Sequence, residues 1–195
     1  MSSQTPFRAF VFDLDGTLVD SKIDFAAMKA ALEIDEETDV LKHIAGLPIS
    51  SQPNALDIVA RFEREGALDS TRIEGALEFV EQAREIGAPC AIFTRNSREL
   101  AIECLASHGF DIEFVIARED APPKPKPDGL LKIAREFNVQ LNEVLFVGDY
   151  IYDLQAGLAA GPPTALFLPA PPDFDTTGAH YIFDSYEKLA AKIRM

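Results

Sequence analysis

The chain has 195 residues, 47% apolar and 26% charged, with a formal net charge of −14. That length can bury a core without covalent staples, and two cysteines are too few for a disulfide framework, so a reducing compartment is expected. The acidic balance argues against sequence-independent binding to nucleic acid or an anionic membrane, no apolar run approaches the roughly 20 residues that cross a bilayer, and the opening MSSQTPFR lacks the apolar stretch of a secretory leader, so a cytoplasmic protein is expected.

Short runs rich in β-branched and aromatic residues alternate with amphipathic patterns along most of the chain. In order, they predict a strand at Ala9–Phe12, a helix at Ala76–Ile86, a strand at Cys90–Phe93 and a helix at Arg98–Ser107. A strand at Phe114–Ile116, a helix at Leu130–Phe137, a strand at Val144–Val147 and a helix at Leu154–Ala160 follow, then strands at Ala165–Leu168 and, more weakly, Tyr181–Phe183. The first four strands are apolar throughout, as expected where both faces of a parallel sheet are covered. The repetition predicts a doubly wound α/β domain. One stretch departs from it. Between Ser21 and about Arg72 only helical patterns occur, at Phe25–Leu32, Thr38–Ile44 and Asn54–Glu65, with no credible strand. This reads as a small all-helical subdomain inserted in a core made of residues 1–20 and 73–195; the alternative is one long crossover carrying extra helices.

Four places carry chemistry. The first strand ends in Asp13-Leu14-Asp15-Gly16-Thr17, two acids on the same side of an extended segment at the strand end where open α/β sheets bind ligands. Taken alone, such a pair is a solvated loop with an Asx-turn. Thr94 closes the second core strand, and Asn96, with Glu99 three residues on, is the expected N-cap of the next helix. A hydroxyl beside a helix N-terminus suits an anion, though a plain strand-to-helix turn reads the same way. Lys124 stands in the stiff segment Ala121–Gly129, and Asp149 and Asp153 follow a buried strand at a spacing that puts both on one helix face.

Together these segments resemble the haloacid dehalogenase superfamily, in its phosphoglycolate phosphatase-like branch. FVFDLDGTLVD is similar to the family's nucleophile motif, Thr94 to its phosphate-binding threonine, Lys124-Pro125-Lys126-Pro127-Asp128 to its lysine motif, and VGDYIYD to its metal-binding motif. The resemblance implies a parallel core with a small helical cap and a phosphatase acting on a small phosphorylated metabolite. Asp13 would be the nucleophile and form an aspartyl phosphate, and Asp15 the general acid and base. Thr94, Arg95, Asn96 and Lys124 would meet the phosphoryl group, together with the backbone amides of Leu14 and Asn96. Dehalogenating and phosphonate-cleaving members lack an acid at the position of Asp15, which favours phosphate-ester chemistry.

Oxygen ligands with no His or Cys nearby favour a hard ion, Mg²⁺. The resemblance makes Asp13, the Asp15 carbonyl and Asp149 its ligands, with Asp153 a ligand or an outer support. Lys22, Lys29, Lys42 and His43 are candidate substrate contacts in the cap, though the simpler reading is a solvated helix face for each lysine and an ordinary surface or half-buried histidine for His43. Arg95 could pair with a substrate carboxylate or act as a brace. Cys90 and Cys104 read as buried small hydrophobes; His108 and His180 carry no ligand spacing. A phosphomutase using the same aspartyl phosphate and a non-catalytic binding protein are the alternatives. The oligomeric state is not readable.

Overall fold

The computed structural model describes residues 5–195, which divide into two compact units, residues up to Asp20 with Thr71–Met195, and Ser21–Ser70. The larger unit contains strands β1 (Ala9–Phe12) and β2 (Val19–Asp20). The smaller holds helices α1 (Phe25–Ala31), α2 (Val40–Gly46) and α3 (Gln52–Leu68). The larger then resumes with β3 (Thr71–Arg72), α4 (Ala76–Glu85), β4 (Cys90–Phe93), α5 (Arg98–Ser107), β5 (Phe114–Ile116) and α6 (Asp128–Glu136). It ends with β6 (Val144–Gly148), α7 (Ile151–Ala160), β7 (Thr164–Phe167), β8 (Tyr181–Phe183) and α8 (Tyr186–Ile193).

Six strands form one parallel sheet in the order β5-β4-β1-β6-β7-β8. The α/β core read from the sequence is therefore present. Because side chains alternate along a strand, β1 sends Phe10 and Phe12 to one face and Ala9 and Val11 to the other. On the first face they meet Phe79 and Val80 of α4, Leu105 of α5, and Tyr186 and Leu189 of α8. On the second, Ala9 and Val11 share a layer with Phe93, Leu130 and Ile133 of α6 and Ala156 of α7. Covering both faces is what permits strands that are apolar throughout.

The smaller unit has its own core of Met28, Ile44, Ala55 and Val59, drawn from all three of its helices. Asp24 and Asp39 cap α1 and α2 by accepting from the amides of Ala27 and Lys42, each at 2.8 Å, and Pro53 sits in the first turn of α3, where a missing N–H costs nothing. Lys42 and His43 line an open cavity of about 540 Å³ on this unit.

Two expectations need correction. Thr71–Arg72, inside the stretch read as strandless, pairs antiparallel with Val19–Asp20. Two residues lie below the four-residue run that makes a strand visible as a pattern. Cys104 is buried as expected, but Cys90 is only half-buried, since it opens β4 directly after the turn at Gly87–Pro89. Burial pushes both free thiols up to about 12. No helix among the described residues is long and apolar enough to cross a membrane.

Phe79 is 2% exposed and stands edge-on to both Phe10 and Phe12, with centroids 5.6 and 6.0 Å away. Phe79→Ala should lower unfolding free energy by about 3–5 kcal/mol, seen as an earlier urea midpoint at unchanged slope. A loss below about 1 kcal/mol would mean that α4 does not anchor the sheet.

Candidate active site

The site is built where β1, β4 and β6 end, at the point where the chain order of the strands reverses from one side of β1 to the other. Main-chain pairing continues one residue past two of these strands. The Asp13 amide donates to the Val147 carbonyl at 2.8 Å and the Thr94 amide to the Ile116 carbonyl at 3.0 Å. Both residues thus inherit the rigidity of the sheet although they lie outside it.

Lys124 is the centre of the arrangement. Its side chain is 1% exposed, and Nζ lies 2.7 Å from Oδ1 of Asp13 and 2.7 Å from Oδ1 of Asp153, above the Phe93 ring. Asp153, also 1% exposed, accepts at Oδ2 from the amides of Tyr150 (3.0 Å) and Asp149 (3.3 Å). The turn leading into α7 thereby fixes the carboxylate that fixes the lysine. Asp149 accepts at Oδ1 from the Thr17 hydroxyl at 3.1 Å, and the Thr17 carbonyl accepts from the Tyr186 hydroxyl at 2.8 Å.

Two glycines make this closeness feasible. Gly16 has φ of +72°, and a Cβ there would fall 2.1 Å from Oδ2 of Asp149. At Gly148 a Cβ would fall 2.3 Å from Cγ of Asp153. Side chains at these positions would displace the carboxylates themselves.

One carboxylate oxygen from each of Asp13, Asp149 and Asp153 lies within 4.8 Å of the other two. Burial raises the Asp13 carboxyl to about 7, against the pull of Lys124 and with Asp153 adding to the rise. Burial, then the charges of Asp153 and Asp13, raise Asp149 to about 8. Burial opposes the charge of Lys124, but Asp13 and Asp153 outweigh it and its pKa rises. One ammonium group therefore leaves the cluster short of positive charge, and a converging set of oxygen donors fits a hard cation such as Mg²⁺.

The remaining sequence candidates fall beside this cluster. Thr94 is buried, and its Oγ1 accepts from the Asn96 amide at 3.1 Å. The Asn96 side chain donates from Nδ2 to Oδ2 of Asp15 at 2.7 Å. Asn96 is not the helix cap expected of it: Ser97 caps α5, accepting from the Leu100 amide at 3.4 Å, while the Asp15 carboxylate draws Asn96 toward β1. The Leu14 amide donates to Oδ1 of Asp13 at 2.7 Å. Arg95 donates from Nη1 to the Lys124 carbonyl, with its guanidinium 4.4 Å from the centroid of the Tyr152 ring. His180 accepts from the Thr164 amide. Thr17, Tyr152 and Tyr186 were not foreseen. The hydroxyl of Thr17, two residues past Asp15, was a visible signal; Tyr186 has the sequence appearance of an ordinary apolar helix residue.

The sheet edge thus brings together an aspartate pair after β1, a buried lysine and an acidic β6–α7 turn. A family model described as haloacid dehalogenase-like hydrolase matches residues 10–167, and the chain belongs to that family. A haloacid dehalogenase-like hydrolase domain-containing protein of Arabidopsis thaliana is 32% identical over 208 residues, covering 96% of this chain and 84% of the relative. A phosphoglycolate phosphatase of Cupriavidus necator is 29% identical over 214 residues, covering 95% of this chain and 93% of its own. The crystal structure of a family hydrolase from Deinococcus radiodurans with bound phosphate and sodium matches with a TM-score of 0.69 at 26% identity, over 97% of this chain and 96% of that one. Within the family the chain is therefore phosphoglycolate phosphatase-like.

The raised carboxyls give the metal-free protein a defined pH response. Between about pH 4 and 8 the folded chain holds protons on Asp13 and Asp149 that the unfolded chain has already released, so their contribution is complete below about 4 and is lost as pH rises through 7 to 8. In EDTA, Asp149→Asn should melt close to wild type near pH 4 and progressively further above it as pH rises towards 8.5, at about 2–4 °C per kcal/mol. Added Mg²⁺ should raise the wild-type Tm at the higher pH and the variant's much less. A variant less stable than wild type at high pH without metal would contradict this electrostatic account.

Proposed function

We propose that this protein is a Mg²⁺-dependent phosphatase that hydrolyses a small phosphomonoester by way of a phosphoryl group carried on Asp13. The observation that carries the reading is the 2.7 Å contact between Lys124 Nζ and Asp13 Oδ1 inside a buried carboxylate cluster at the sheet edge. A carboxylate fixed this way is pre-aimed, and a neighbouring ammonium can take up charge on a transferring phosphoryl group. The family membership and the phosphoglycolate phosphatase relative support the same chemistry.

Asp13 attacks phosphorus in line, and the P–O bond to the leaving alcohol breaks as Asp15 gives that oxygen its proton. Asp15 then takes a proton from the water that attacks phosphorus, and the aspartyl phosphate releases inorganic phosphate and restores Asp13. The bond from Asn96 to Oδ2 of Asp15 supports this role by orienting the carboxyl. Thr94, Asn96 and Lys124 face the phosphoryl oxygens. Asp13, Asp149 and the Asp15 carbonyl would hold Mg²⁺, with Asp153 occupied by Lys124 and two amides as an outer support. When bound, that ion supplies charge neutralisation between the carboxylates and the phosphate. The unit Ser21–Ser70 acts as the substrate-selecting cap. Phosphoglycolate is the first substrate to try, and two free thiols suit a cytoplasmic enzyme.

The test is multiple-turnover phosphate release from phosphoglycolate, sugar phosphates and nucleotides with Mg²⁺. Asp13→Asn should cost about three orders of magnitude or more in kcat, Asp15→Asn about two to four, and EDTA should abolish turnover. Release undiminished in Asp13→Asn would overturn the proposal. Single-turnover transfer back to substrate without net release would instead identify a mutase.

A further inference from the structure

We infer that Arg95 is a positioning residue for Lys124, clamping its main chain against the helix that carries Asp153. The inference rests on the phosphatase reading for its kinetic consequences but on the fold for its geometry.

The segment that carries Lys124 has little means of holding itself in place. Of residues 122–127, Pro122, Pro123, Pro125 and Pro127 have no N–H to donate. The Lys126 amide is spent within the segment, on the Pro123 carbonyl at 3.1 Å. Anchoring must therefore come largely from outside donors to its carbonyls, and Arg95 Nη1 donates to the carbonyl of Lys124 itself. The placement matters because the Lys124 side chain is buried and engaged at both ends of its reach. A shift of its main chain must displace Nζ from one or both of its 2.7 Å carboxylate partners.

Arg95 is in turn held by Tyr152, which lies in the first turn of α7, one residue before Asp153. The guanidinium lies over the ring at 4.4 Å, within the range of cation–π attraction. Tyr150 packs edge-on to that ring at 5.3 Å and meets Phe174 at 5.5 Å, which steadies the platform. One side chain thus joins three segments: the Thr94–Asn96 turn, the Lys124 loop and the first turn of α7. A planar guanidinium can lie flat on a ring and donate from its edge in the same fixed geometry, whereas an ammonium group is a point charge with no plane to stack. Arg95 acts through Lys124 and leaves the substrate to its neighbours.

The experiment compares wild type with Arg95→Lys, Arg95→Gln, Tyr152→Phe, Tyr152→Leu and the Arg95→Gln/Tyr152→Leu pair in the full chain with Mg²⁺. Circular dichroism checks each fold, and Arg95→Lys and Tyr152→Phe provide mild variants should the others unfold. Two substrates are used, phosphoglycolate, which carries a carboxylate, and p-nitrophenyl phosphate, which does not. Both Arg95 variants should lower kcat by about 10- to 100-fold on both substrates alike, with KM within about threefold. Tyr152→Phe should keep more activity than Tyr152→Leu, and the pair should be no worse than Arg95→Gln alone, as expected of residues acting in one chain of contacts.

A second readout needs no turnover. Pulsed acylation with acetic anhydride, read by mass spectrometry, should leave Lys124 protected in wild type and modified several-fold faster in Arg95→Gln. Wild type inactive on every phosphomonoester but with this protection pattern intact would sink the phosphatase reading alone. A KM increase confined to phosphoglycolate with kcat unchanged would make Arg95 a substrate ligand and overturn the positioning role. Wild-type kcat in Arg95→Lys, or equal Lys124 protection in Arg95→Gln, would overturn it as well.

Discussion

A lysine ammonium group buried between two aspartates organises this molecule's working edge. Withdrawing such a charge from water costs several kcal/mol unless partners with good geometry replace the lost hydration. Lys124 meets that condition with Asp13 on one side and Asp153 on the other. The arrangement then constrains everything nearby. Asp153 must be held by the amides of the turn leading into α7, Gly148 must have no side chain, and the proline-rich loop must deliver Lys124 to one place. Asp149 accepts from the Thr17 hydroxyl, and burial, then the charges of Asp153 and Asp13, push its carboxyl up. The imbalance makes this edge a candidate site for a hard cation.

The sheet explains why these groups meet at all. With β1 between β4 and β6, the residues following three strands converge on one side of the sheet, and the chain crosses from one flank to the other there. Parallel strands put all their carboxyl ends on that edge, so acids and hydroxyls distant in sequence become neighbours without long loops. The two apolar layers on the sheet faces keep this edge rigid. Tyr186 extends that rigidity into the site, since the residue that packs against Phe79 also donates to the Thr17 carbonyl. A distant helix is thereby coupled to the hydroxyl that holds Asp149.

Much of this was readable from residue order. The strands of the core are apolar runs bounded by turn residues, and each acid or hydroxyl that ends one stands out against that background. The D-x-D-G-T and G-D-x-x-x-D spacings placed Asp13, Asp15, Asp149 and Asp153 at the edge where they lie. What could not be read depends on which of two neighbours wins a contact. Asn96 and Ser97 are both good caps, and only the nearness of Asp15 in space decides that Asn96 faces the carboxylate and Ser97 caps α5. The pairing of Val19–Asp20 with Thr71–Arg72 spans the whole inserted unit and has no periodicity to reveal it. Arg95 and Tyr152 meet through tertiary packing, with more than fifty intervening residues that say nothing of it.

The central claim is that Asp13 carries the phosphoryl group, and trapping that species tests it most directly. The protein, turning over a phosphomonoester with Mg²⁺, would be quenched into borohydride, which reduces an acyl phosphate to the homoserine side chain, and then mapped by mass spectrometry. Homoserine at position 13, dependent on both substrate and divalent ion, is the predicted result. Reduction at another carboxylate, or turnover with none at position 13 under conditions that trap a control acyl phosphate, would contradict it.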